Sequence, residues 1–134
     1  MVSNIFVNLP VQNLPASKEF FTKLGFTFNA QFTDENAACL VVSDTIYAML
    51  VTHERFKGFT KKQISDAKTS TEMLLALQVG SREEVDAILE KAFDAGATSY
   101  IEPQDHGWMY ARNFADPDGH QWEIFFMDST NVPR

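Results

Sequence analysis

Hydrophobic and polar positions along this chain alternate first with the period of a strand and then with that of a helix, and the sequence of periods recurs. In "NIFVNLPV" (Asn4 to Val11), Ile5, Val7, Leu9 and Val11 alternate with Phe6, Asn8 and Pro10, a strand signal. Asn13 has the chemistry of a helix N-cap and Pro15 suits a first helical turn. Gly25 ends the helix that "ASKEFFTKL" predicts. Two strand-like runs follow, "AACLVVS" and "TIYAMLVT", joined by a tight turn at Asp44 and Thr45. After a polar stretch from His53 to Glu72, "MLLALQVGS" reads as a further strand. Ser81 to Glu84 then has the S-x-x-E form of a capping box. "REEVDAILEKAFDAGA" places Val85, Ile88, Leu89 and Ala92 on one helical face before Gly96. The pattern ends in "MYARNFA" and "QWEIFFM", a hairpin closed by "DPDG".

One plan therefore occurs twice. Aligning Phe6 with Leu74 places Leu9 on Leu77, Val11 on Val79, and the cap Asn13 on the cap Ser81. Such a repeat predicts two half-sheets curved around a shared cleft. A ferredoxin-like arrangement shares the strand–helix repeat, and the terminal hairpin argues for the former. The expected fold class is α+β, one domain over 134 residues. Its first module spans 1–55, a connector 56–72, and its second module 73–134.

Composition agrees with a packed globular chain: 45% of residues are apolar and twelve are Phe. A net charge of −7 argues against nucleic acid and anionic membrane as partners. The single cysteine, Cys39, excludes an internal disulfide and reads as a small core filler. The N-terminus lacks a charged-then-apolar leader, and no apolar run approaches about 18 residues. A cytoplasmic location is the expectation.

The stretches "VNLPVQNLPASKEFFTKLGFTF" and "DPDGHQWEIFF" resemble the glyoxalase/bleomycin-resistance/extradiol-dioxygenase superfamily, the vicinal oxygen chelate proteins. The ending "PQDHGWMYARNFADPDGHQWE" is similar to the subgroup labelled predicted lactoylglutathione lyase. The resemblance implies paired βαβββ modules forming a curved mixed sheet, often in dimers, so a homodimer is expected. It also implies that family enzymes hold a divalent metal through one residue from the first and last strands of each module. Those positions fall on Phe6, Leu50, Leu74 and Glu123. Only Glu123 offers a donor atom, whereas a divalent ion needs several oxygen or nitrogen ligands. No cofactor is the expectation, with a metal on Glu123 as the alternative. The histidines His53, His106 and His120 are scattered, and "HERFK" lacks the second histidine of H-E-x-x-H.

The family pattern points four rows into the cup: Phe6, Asn8, Pro10; Ile46, Ala48, Leu50; Leu74, Ala76, Gln78; and Glu123, Phe125, Met127. Their alternates, including Val7, Leu9, Leu75 and Leu77, would lie under the helices. The expected ligand-binding set is Phe6, Asn8, Leu50, Leu74, Gln78 and Phe125, with Trp108 from the bordering loop "PQDHGWMYAR". Glu123 is open to three readings: metal ligand, general base or partner in an ion pair. If Asp118 and Gly119 form a two-residue hairpin turn, Glu123 faces Phe114 and Arg112 lies diagonally on the same face. Arg112 or Tyr110 is then the expected partner, because a buried carboxylate needs one. A longer loop would carry Arg112 to the other face.

His106, as an imidazole, is a candidate acid or base, or else a loop residue bonded to backbone. Phe20 and Phe21 are assigned to the core. Lys57, Lys61 and Lys62, beside Phe56 and Phe59, read as a solvated connector or a lid. Two functions follow. The first is a metal-free protein binding a small organic molecule. The second is a glyoxalase-like lyase or isomerase acting on a thiol adduct or related carbonyl compound. There Glu123 would serve as base, and Tyr110, Arg112 or His106 as electrophilic partner. Whether the chain is an enzyme is left open.

Overall fold

The computed structural model describes residues 1–133 and divides into two compact units, Met1–Ser65 and a second that begins at Asp66. The first contains β1 (Ile5–Val11), α1 (Leu14–Lys23), β2 (Thr27–Asn29), a 3-10 turn (Ala30–Phe32), β3 (Ala37–Val41), β4 (Ile46–Thr52) and α2 (His53–Phe56). The second contains β5 (Leu74–Gln78), α3 (Arg82–Asp94), β6 (Gln104–Asp105), β7 (Met109–Ala115) and β8 (Gln121–Met127). The strand orders are β1-β4-β3-β2 and β5-β8-β7-β6, and in each unit the first strand pairs in parallel with the last. The internal repeat is thus a repeat of topology.

Both long helices start where the sequence places their caps. Asn13 Oδ1 accepts from Ala16 N at 3.0 Å, and Ser81 Oγ accepts from Glu84 N at 3.2 Å. The reciprocal arm of the box bonds one residue upstream of the usual partner: Glu84 Oε2 accepts from Gly80 N at 2.6 Å. In the first unit Phe20, Phe21 and Leu24 are buried together with Leu9, Leu40, Ala48 and Leu50. In the second, Val85, Leu89 and Ala92 of α3 are buried together with Phe114, Trp122 and Ile124. Phe114 and Trp122 lie opposite each other across β7 and β8, their rings 5° from parallel. Cys39 is fully buried, as a core filler should be, and burial pushes its thiol pKa up.

The β7–β8 connection differs from the two-residue turn expected. Asp116 N donates to His120 O and Gly119 N donates to Asp116 O, both at 2.9 Å, so Pro117, Asp118 and Gly119 form a three-residue loop. The Asp116 carboxylate holds it. Oδ1 accepts from Asp118 N and His120 N, and Oδ2 accepts from Trp122 Nε1, each at 3.0 Å. Burial pushes the Asp116 pKa up, opposed by His120, the indole N–H and the Asp118 N–H. Pro117 supplies the turn's first φ, and Gly119 takes the left-handed one at +91°. The extra residue moves the register by one. Glu123 stands opposite Asn113, and Arg112 opposite Ile124.

A second irregularity lies along the outer edge of β7. Thr98 bridges Ala115 and Gln104 pairs with Ala111, yet five residues separate Thr98 from Gln104 where three separate Ala111 from Ala115. The surplus bulges, and the buried side chain of Asn113 substitutes for the missing ladder. Its Oδ1 accepts from Tyr100 N (2.8 Å) and Ile101 N (3.2 Å), and its Nδ2 donates to Ile101 O (3.0 Å). A bulge of this kind re-aims side chains, here Tyr100.

Two outcomes check these connections. A β-carbon at Gly119 would stand 2.8 Å from Lys68 N and 2.9 Å from Ala67 C, so neither φ nor space admits one. Gly119→Ala is expected to lower stability by about 1–3 kcal/mol in urea titration. Asn113→Ala should cost about 1–3 kcal/mol, and hydrogen exchange at Tyr100 and Ile101 should accelerate more than at Leu89.

Candidate functional site

The register sorts the second sheet into two faces. Trp122, Ile124, Phe114 and Arg112 share the face that α3 covers, and Leu74, Ala76, Gln78, Glu123, Phe125, Ala111 and Asn113 share the other. The row Glu123, Phe125, Met127 and the row Leu74, Ala76, Gln78 therefore lie together as expected. Leu74 and Gln78 are exposed, while Glu123 and Phe125 are half-buried. Among the described strand residues no Lys or Arg belongs to this face.

Glu123 is not paired with Arg112 or Tyr110. Both point to the helix side, where Arg112 Nη1 donates to Asp86 Oδ1 at 2.9 Å and Tyr110 Oη donates to the same oxygen at 2.6 Å. The three-residue loop is the reason, since it turns Arg112 away. The Tyr110 hydroxyl and then Arg112 hold the Asp86 carboxyl below the ordinary carboxylate range. Burial first, and the Asp86 carboxylate second, raise the Tyr110 phenol. Arg82 packs over the Tyr110 ring at 4.3 Å and forms an ion pair with Asp105, which completes a belt from α3 to β6. Three of the four expected catalytic positions therefore lie apart from Glu123: Tyr110 and Arg112 on the helix side within this belt, and His106 in the loop beside it.

His106 is exposed in the loop between β6 and β7. Its backbone N–H donates to Met109 O at 2.9 Å, and its ring lies 6.3 Å from that of half-buried Trp108. That loop is tied to α3 through Asp105 and Arg82 and lies two strands from β8 in the sheet order. Glu123 alone of the expected catalytic group stays on the helix-free face. Its carboxylate makes no hydrogen bond or ion pair among the described residues. The Tyr100 side chain passes beside it: Tyr100 N is held by Asn113, directly opposite Glu123, and Tyr100 Oη donates to Trp122 O at 3.4 Å. Burial first, and the Glu123 charge second, raise the Tyr100 phenol pKa.

In the first unit Phe6 stacks on Tyr47, ring centroids 4.7 Å apart and 45% of Phe6 exposed. Exposed Asn8 donates to Phe6 O at 3.3 Å. The row opposite β1 is corrected by one residue. Tyr47, Met49 and Val51 pair with Phe6, Asn8 and Pro10, whereas Leu50 pairs with Leu9 on the helix side and is 0% exposed. Leu50 is a core residue and lines no ligand surface.

A divalent metal does not fit the donor chemistry at the positions the family uses. Phe6 and Leu74 offer no donor, and Leu50 or its neighbour Met49 offers at most a soft thioether, leaving one carboxylate. Among the described residues no three His, Cys, Asp or Glu side chains converge. None of the described helices is long and apolar enough to cross a membrane.

Asn113, Tyr100, Asp86 and Asp116 were not singled out in the sequence. A polar Asn inside "ARNFA" was the available signal, since Asn is depleted in strands unless its side chain has work there. Nothing marked Asp86 beyond its place on the polar side of a helix.

The comparisons with known proteins agree with this architecture. A hypothetical protein of S. aureus, SA1046, superposes with a TM-score of 0.78 at 26% identity, covering 94% of this chain and 95% of that one. A glyoxalase-related enzyme from Fulvimarina pelagi also gives 0.78, at 20% identity over 94% of this chain and 88% of that one. The bleomycin resistance determinant encoded on the transposon Tn5 gives 0.65 at 16% identity, over 93% and 98%. A comparison with curated proteins returns no match. The profile of the Glyoxalase/Bleomycin resistance protein/Dioxygenase superfamily matches residues 5–124, and the chain belongs to that superfamily.

Proposed function

We propose that this protein binds a small organic molecule against the helix-free face of its second sheet, with Glu123 as the orienting group and without a divalent metal. The observation that carries this reading is the state of Glu123: a half-buried carboxylate between Ala76 and Asn113, beside Tyr100, with no hydrogen bond or ion pair of its own among the described residues. Apolar surface with a few polar groups is the composition of an organic-ligand site. Superfamily membership supports the same class, since the relatives that match include a protein named for bleomycin resistance and proteins named for fosfomycin resistance.

The lyase reading, in the manner of a lactoylglutathione lyase, uses the same carboxylate as base. It requires a second group to stabilise an enolate. Arg112 and Tyr110, expected to do so, are engaged by Asp86 on the opposite face, which favours binding over this chemistry.

Elemental analysis of the purified protein, an assay for lactoylglutathione formation with added zinc, nickel or manganese, and a thermal-shift screen of small organic molecules test the proposal together. The expected result is metal well below one ion per chain, no activity, and at least one compound that raises the melting temperature by several degrees at saturation. That rise should be reduced in Glu123→Gln. Stoichiometric metal accompanied by activity would overturn it.

A further inference from the structure

We propose that Glu123 and the ring of Tyr100 form a subsite for a positively charged nitrogen, so that the ligand carries a protonated amine or a quaternary ammonium group. The inference rests on the binding reading above and adds the ligand's charge to it.

The charges that the second unit leaves uncompensated point to the ligand's sign. Of the cationic side chains in the second unit, Arg112 pairs with Asp86 and Arg82 with Asp105, both on the α3 side. Lys91 is exposed on α3 and Lys68 lies in the turn before β5, so among the described residues the strands of the Glu123 face contribute no cation. Two of its neutral donors are engaged elsewhere: the Asn113 amide donates to Ile101 O and the Tyr100 hydroxyl to Trp122 O, while Gln121 accepts through Oε1 from Thr71 Oγ1. A half-buried carboxylate is incompletely hydrated, and a ligand that brings a positive charge recovers Coulomb energy that a neutral ligand cannot.

Tyr100 adds the second element. Its hydroxyl donates to Trp122 O, which leaves the aromatic ring as the part of Tyr100 available to a cation, and the face of such a ring attracts one. Phe125, two residues along the same face, extends the aromatic surface for the apolar part of such a molecule. The bulge anchored by Asn113 is what holds Tyr100 there, so an irregularity with no evident role in the core has one at this site. The chain's net charge of −7 would raise the local concentration of a cation and repel an anion at a distance.

The test uses three probes of one shape and different charge: cinnamylamine, cinnamyl alcohol and cinnamate, titrated by protein-observed NMR at neutral pH. The wild-type chain is expected to bind the ammonium form at least about tenfold more tightly than the alcohol, and cinnamate more weakly than both. Glu123→Gln should bring the amine and the alcohol to within about twofold. Tyr100→Phe should keep the preference, while Tyr100→Leu should reduce it. Thermal melts establish that each variant is folded. Equal binding of amine and alcohol to the wild type would overturn the charge assignment while leaving an organic-ligand site intact. A preference that survives Glu123→Gln would overturn it too, by tracing the effect to overall charge. Binding of none of the three would count against this subsite and the underlying reading alike.

Discussion

The chemistry of the second unit follows from how one carboxylate folds the β7–β8 loop. Asp116 gathers two backbone N–H groups and the Trp122 indole around itself. That set of bonds is compatible with a three-residue loop ending in left-handed Gly119. Strand side chains alternate faces, so one residue more or less in the loop exchanges the faces of every residue on β7 relative to β8. With the loop as it is, Arg112 and Tyr110 go to the helix and Glu123 is left opposite Asn113. The tight approach of Gly119 to the backbone of Ala67 and Lys68 binds the same loop to the segment that leads into β5.

The two consequences are complementary. On the helix side, Asp86 receives Arg112 and Tyr110 and, with the Arg82–Asp105 pair, fastens α3 to β7 and β6. On the other side the sheet keeps a carboxylate that no described residue neutralises. A protein selected only for stability would have little reason to leave Glu123 half-buried in this way. Residues that break local rules without structural compensation concentrate at functional sites, which supports the role proposed for Glu123.

Much of the fold was legible in the sequence because its signals are local. Asn13, Ser81, Gly25 and Gly96 mark helix ends by their own chemistry, and the alternation of Leu9 and Val11 or Leu75 and Leu77 marks strands from within a single segment. The site was legible only in part because pairing register is not local. The reading of Asp118-Gly119 as a two-residue turn ignored the start of the motif. In Asp116-Pro117-Asp118-Gly119, proline second and glycine fourth suit a type I turn that continues into a left-handed residue. A slip of one position likewise placed Leu50 on the face of Phe6 and Asn8, where Met49 belongs. The Tyr100 bulge left no comparable trace, since it depends on the Asn113 side chain standing in for a backbone ladder across twelve or so positions of sequence.

Double-mutant cycles on Arg112 give the most direct test of this register and of what it does to Glu123. Stability would be measured for Arg112→Gln combined with Asp86→Asn and, separately, with Glu123→Gln. The account predicts a coupling of about 0.5–1 kcal/mol between Arg112 and Asp86 and none beyond about 0.3 kcal/mol between Arg112 and Glu123. A coupling that appears on Glu123 and is missing on Asp86 would contradict it, because the protein would then be neutralising the carboxylate on which the proposed site depends.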